Sequence, residues 1–162
     1  MFFKLDKIID WTKSRNVREA YIKGFMEELS FTKVGSGRMR TTYLSPSNKF
    51  VLKFPHNEGG VHGNMEEAYR YSKYKSRPDH TNYGAVYAPC RLIQKTILMM
   101  WAVVASYGDS AGCHKAIKSG LLEYADPDTW GDVPDWVQAL DCNQAGYLRD
   151  GRLVAYDFTE TM

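Results

Sequence analysis

Apolar and polar positions change their period along this chain, and the changes divide it into segments. Within residues 1–30, Val17, Tyr21, Phe25 and Leu29 recur at every fourth position, which predicts a helical segment with one apolar stripe that packs on the chain that follows. Asn16 and Glu19 stand in capping-box order at its start, so each is expected to bond an orphan amide. From Phe31 the period drops to two. Runs at 31–34, 40–44 and 49–54 predict three strands of an antiparallel meander, with Gly35-Ser36-Gly37 and Ser45-Pro46-Ser47-Asn48 as the turns.

Residues 65–74 read as a helix, Val86-Tyr87 as a strand ended by an Ala88-Pro89-Cys90 breaker, and 91–93 and 96–101 as two further strands. That β-β-β-α-β-β order predicts an α+β fold, a helix packed on one face of an antiparallel sheet. Further along, 111–124 and 135–140 read as helices around a polar loop at 126–134. Asp150-Gly151 between two apolar runs predicts a closing hairpin.

A length of 162 residues suits a single domain. Its expected parts are a helical segment (1–30), a sheet-bearing part (31–101) and a reduced C-terminal part (102–162). The net charge of +2 is too balanced to argue for nucleic acid. The local cluster of Lys33, Arg38, Arg40, Lys49 and Lys53 is as consistent with a solvated face as with a phosphate-facing one. Cys90, Cys113 and Cys142 form no CxxC pair, which favours a reducing cytoplasm over a disulfide framework. His56 and His62 lack a second ligand pair and read as scattered surface histidines rather than metal ligands. The most apolar run, 97–105, is well short of the ~20 residues a bilayer span requires. No membrane partner is therefore expected.

The candidate chemistry centres on Lys53, alone among Phe50, Val51, Leu52 and Phe54. Burying an ammonium without a partner costs several kcal/mol, so a lysine in an apolar strand calls for an anion. The glycines upstream would let a backbone approach phosphates closely.

Taken in order, these segments resemble the protein-kinase-like fold, specifically the small kinase-like proteins of tailed bacteriophages. Val34-Gly35-Ser36-Gly37-Arg38-Met39-Arg40-Thr41-Thr42-Tyr43 resembles the glycine-rich loop, and Val51-Leu52-Lys53 the third strand with its phosphate-pairing lysine. The run from Asn64 to Tyr69 is similar to the start of the helix that carries the ion-pairing glutamate, Glu67 first and Glu66 as alternate. Ile97-Leu98-Met99-Met100-Trp101 is similar to the fifth strand and hinge, and the run from Asp150 to Phe158 to the hairpin that ends in the metal-binding Asp-Phe-Gly segment. The resemblance thus implies a kinase N-lobe-like sheet with one packed helix, N-terminal helices and a reduced C-terminal lobe. ATP would be held by Gly35, Ser36, Gly37, Lys53, Glu67 and Met100, and Mg2+ by Asn143 and Asp157.

Three departures redirect the functional expectation. Counting back from Asp157 puts Ala139 at the catalytic aspartate and Gln144 at the metal-binding asparagine; a shift of one residue brings Asn143 to the metal position and Gln138 to the base, and leaves Asp141 as the only nearby carboxylate that could act as base. Thr159 replaces the glycine after Asp157-Phe158. The sequence stops at Met162, short of an activation segment and of most of a helical lobe. The resemblance therefore implies a pseudokinase in the host cytoplasm that binds a host protein, a defence factor or the transcription machinery, with ATP and Mg2+ as candidate ligands. The alternatives are an active minimal phosphotransferase using Asp141, and a nucleic-acid module using Arg38, Arg40 and Lys49, with Arg38 and Arg40 on one strand face.

Overall fold

A computed structural model of the chain describes residues 12–75, 87–104 and 144–156. Among the described residues the architecture is α+β: two helices and a five-stranded antiparallel sheet, with a small second sheet. The elements group into two compact units, one of Met1–Met65 with Leu92–Leu98, the other of Glu66–Arg91 with Met99–Met162. Among the described residues no helix is long and apolar enough to cross a membrane.

Helix α1 spans Arg15–Glu28, and its N-cap is Ser14, with no side-chain capping bond. The expected capping box does not form, because the helix begins before Asn16 and Glu19 is drawn to Arg15 and His56 instead. The apolar stripe is also re-phased. Val17 and Tyr21 are exposed, while Ile22 and Met26 are buried and Phe25 and Leu29 pack against them. Positions four apart drift by roughly 40° per step on a helix of 3.6 residues per turn, so a strict period of four leaves the core face within three steps. The helix ends in a Schellman motif: Phe31 N–H donates to Met26 O at 2.8 Å and Ser30 N–H to Glu27 O at 2.9 Å. Ser30 takes the left-handed position at φ 59°.

Strands β1 (Thr32–Ser36), β2 (Arg40–Leu44) and β3 (Phe50–Pro55) form the expected antiparallel meander. With β4 (Cys90–Ile93) and β5 (Thr96–Met100) they make a sheet of order β1-β2-β3-β5-β4. The Ser45 turn forms as predicted: Asn48 has φ 52° and its amide donates to Ser45 O. On β2 burial alternates, with Thr41 and Tyr43 inward, whereas β3 is buried from Val51 through Pro55. Tyr43, Leu52 and Phe54 pack with Ile22, Met26 and Phe31 in one core cluster beneath α1. The Tyr43 and Phe54 rings meet edge to face at 5.8 Å.

Helix α2 spans Glu58–Lys75, seven residues longer at its start than the predicted 65–74. Asn57 caps it, its side-chain oxygen accepting from Gly60 N–H at 2.9 Å. Gly59 and Gly60 look like helix breakers in sequence, but the contact geometry requires a glycine at position 60. A Cβ on Gly60 would collide with the Met39 carbonyl oxygen and meet Pro55 Cβ at 3.1 Å. This first stretch of α2 thus lies against Pro55 and Arg40, on the face of the meander opposite α1. The meander is therefore covered on one face by α1, as the N-terminal stripe predicts, and on the other by the first stretch of α2.

In the second unit β6 (Val103–Val104), β7 (Ala145–Tyr147) and β8 (Leu153–Ala155) form an antiparallel sheet in that order. The predicted Asp-Gly hairpin joins β7 to β8: Gly151 has φ 86° and donates to Leu148 O, and Asp150 accepts from Arg152 N–H. Of the strand expected around Val86 and Tyr87, Val86 lies outside the described residues and Tyr87 forms a parallel bridge to Ala155. The helices expected at 111–124 and 135–140 lie outside the described residues.

Candidate functional site

Lys53 lies in the central strand β3 and is buried, with 5% of its surface exposed. It pairs in register with Thr42, which turns its side chain to the face opposite Tyr43 and Leu52. Asn64 fixes the main chain here. Its side-chain NH2 donates to Lys53 O at 3.0 Å and to Lys95 O at 2.8 Å, and its oxygen accepts from Arg40 at 3.2 Å. One fully buried amide therefore joins α2, β2, β3 and the turn before β5. Asn64 is a mid-helix residue rather than a helix start.

The glycine segment is displaced from the expected turn. Gly35 and Ser36 belong to β1, paired with Thr42 and Thr41, and the ladder shifts register between Lys33 and Gly35. The chain reverses beyond Gly37, whose N–H donates to Arg40 O at 2.9 Å. Neither Gly35 nor Gly37 has a positive φ, and a Cβ on either would meet nothing within 4 Å. Local packing does not account for these glycines, and the open space is what backbone approach to a ligand needs. Ser36 does not present its hydroxyl there. Its Oγ lies 3.0 Å from Thr41 Oγ1, on the α1 side of the sheet.

Of the two candidate glutamates, Glu66 forms an i,i+4 pair with Arg70 at 2.6 Å. Glu67 is the buried carboxylate of α2, with no exposed surface. Met100 ends β5, is 43% exposed, and donates its amide to Pro89 O at 2.8 Å, so that hinge donor is satisfied within the chain. Asp141, Asn143 and Asp157 lie outside the described residues. The basic cluster disperses: Arg38 sits in the loop before β2, Arg40 is tied to Asn64, and Lys53 is buried. The expected shared strand face of Arg38 and Arg40 therefore does not form.

Sequence reasoning missed a connected, buried polar group, His56. It is 4% exposed rather than at the surface. Its Nδ1 lies 3.2 Å from Glu19 Oε1, its Nε2 3.0 Å from Thr41 Oγ1, and its carbonyl accepts from Arg18 at 2.7 Å. Burial is the largest influence on the imidazole and lowers its pKa, with Glu19 opposing. Glu19 is held below the ordinary carboxylate range, chiefly by its bond from Arg15. The partners come from α1 and β2, far from His56 in sequence, so no local motif announces them.

No protein-family model matches the chain, and comparison with curated proteins and with solved structures likewise gives no match.

Proposed function

We propose that this chain is a kinase-like protein of the tailed-phage type that holds ATP and Mg2+ and acts by binding a host protein, a defence factor or part of the transcription machinery, rather than by transferring phosphate. The observation that carries the reading is Lys53. A cation is buried in the central strand of the sheet, on a backbone fixed by Asn64, two strands from glycines that leave open space. In this reading Lys53 pairs the phosphates, Glu67 orients it, and Asn143 and Asp157 hold the metal. Ala139, where a base would stand, favours binding over catalysis.

The test is thermal unfolding with millimolar Mg-ATP, on the native chain and on Lys53→Met. Occupancy at 100 times the Kd would stabilise the folded state by about 2.7 kcal/mol. The reading predicts a rise in melting temperature for the native chain and none for the variant. No rise at millimolar nucleotide would overturn the nucleotide site. Transfer of labelled phosphate, abolished by Lys53→Ala and Asp157→Ala, would replace binding with an active phosphotransferase.

A further inference from the structure

On the sheet face opposite Lys53, four side chains form an ordered chain: Glu19, His56, Thr41 and Ser36. The direction of its protons follows from chemistry. Glu19 Oε1 faces His56 Nδ1 at ion-pair distance, 3.2 Å, with no hydrogen bond between them, and an ionised carboxylate there favours the tautomer with the proton on Nδ1. The Nε2 of a neutral imidazole then accepts from Thr41 O–H, and Thr41 Oγ1 accepts from Ser36 O–H. A base oriented by a carboxylate and bonded to a hydroxyl is the arrangement that activates nucleophilic serine and threonine. Here it reaches the surface through a second hydroxyl, since Ser36 is on the exposed edge strand.

Two further features adjoin the chain. A half-open groove of about 280 Å³ adjoins its Glu19 and Thr41 members, lined also by Asn16, Lys23, Lys33 and Tyr43, with Ser36 outside the lining. Lys33 and Lys23, the latter paired with Glu27 at 3.7 Å, set positive charge against the Glu19 carboxylate there. The bond from Gly37 N–H to Arg40 O also makes Ser36 and Thr41 a non-hydrogen-bonded pair. Ser36 N–H accordingly points off the free edge of the sheet, as a donor for a developing oxyanion.

We infer that Ser36 is the nucleophile of an acyl-transfer site in which His56 is the base, Thr41 relays the proton, and the acyl donor is an ester with an anionic group seated in the Lys23–Lys33 groove. Ser36 Oγ bonds to the acyl carbon. Its proton passes to Thr41 Oγ1 as the Thr41 proton passes to His56 Nε2, and Glu19 holds the imidazolium. The ester C–O bond breaks, its electron pair stays on the departing oxygen, and that oxygen takes a proton back through the relay. Water repeats the sequence on the acyl-serine, releasing the acid and restoring Ser36. This site shares Ser36 with the glycine segment of the nucleotide reading but uses its hydroxyl on the sheet face opposite Lys53, and it does not rest on that reading.

The test treats the full chain with an alkyl fluorophosphonate, locates the adduct by mass spectrometry, and follows hydrolysis of p-nitrophenyl acetate and p-nitrophenyl hemisuccinate. The expected result is one adduct, on Ser36, with labelling slowed about a hundredfold in Thr41→Val and in His56→Gln, the lower range for loss of a general base. Ser36→Ala should abolish turnover, and Lys23→Ala with Lys33→Ala should raise KM for the hemisuccinate and not for the acetate. Circular dichroism establishes that each variant is folded. Thr41→Val keeps the question decidable if His56→Gln does not fold. The absence of an adduct on Ser36, or labelling at the native rate in folded Thr41→Val, would overturn the inference.

Discussion

Asn64 Nδ2 donates to the carbonyl oxygen of Lys53 at 3.0 Å, so a helix side chain holds the main chain at the strand lysine. Asn64 has no exposed surface, and neither group can turn to water when its partner is removed.

Asn64→Ala should therefore destabilise the fold by about 1–3 kcal/mol, since it removes the buried amide's bonds to the Lys53 and Lys95 carbonyls and to Arg40. Urea unfolding measures it. A loss below about 1 kcal/mol would mean that water replaces the amide.

Two glycine-to-alanine changes in helices should act in opposite directions. Gly24→Ala meets nothing within 4 Å and should stabilise by up to about 1 kcal/mol through helix propensity. Gly60→Ala drives a methyl group into the Met39 carbonyl, and should destabilise despite the same gain in propensity. Melting temperatures of the pair, taken together, separate packing from propensity.

Ser30→Gly should stabilise by about 1 kcal/mol, because Ser30 carries a Cβ at φ 59° where only glycine is unstrained. Chemical denaturation should show a higher midpoint with an unchanged slope.

Stability should fall as pH drops below 6.5. His56 has a lowered folded pKa, so below its ordinary 6.5 the unfolded chain takes up a proton that the folded chain resists. Glu19, also lowered, adds a second loss that begins below 4.5. Arg15 and Lys33 act against protonation of His56, and Glu19 favours it. Urea midpoints from pH 7.5 to 5 measure the first effect, and His56→Gln should flatten them.

The meander was legible because each of its strands states its own period locally, and the Lys53 anomaly was legible because a charge interrupts one of them. The Asp150-Gly151 hairpin was equally local. What sequence concealed was contact between distant segments. Gly59 and Gly60 signal a break by composition, yet α2 runs through them because Met39 lies so close. The α1 stripe is set by where Tyr43, Leu52 and Phe54 stand, and not by the helix alone. His56 looks like a turn residue between Pro55 and Asn57, and only the return of α1 over the sheet buries it.

Strand β1 contributes no buried side chain; Phe31 before it is the core anchor, and the Ser36 hydroxyl contact lies at its other end. The strand is held chiefly by its ladder to β2, so it can peel away up to Phe31 while the core stays intact. Its amides should exchange with deuterium through this partial opening, long before those of β3, which need global unfolding. The segment bearing Gly35 and Ser36 is thus the fold's cheapest part to rearrange, and a ligand or partner that engages it would show first as slowed exchange there.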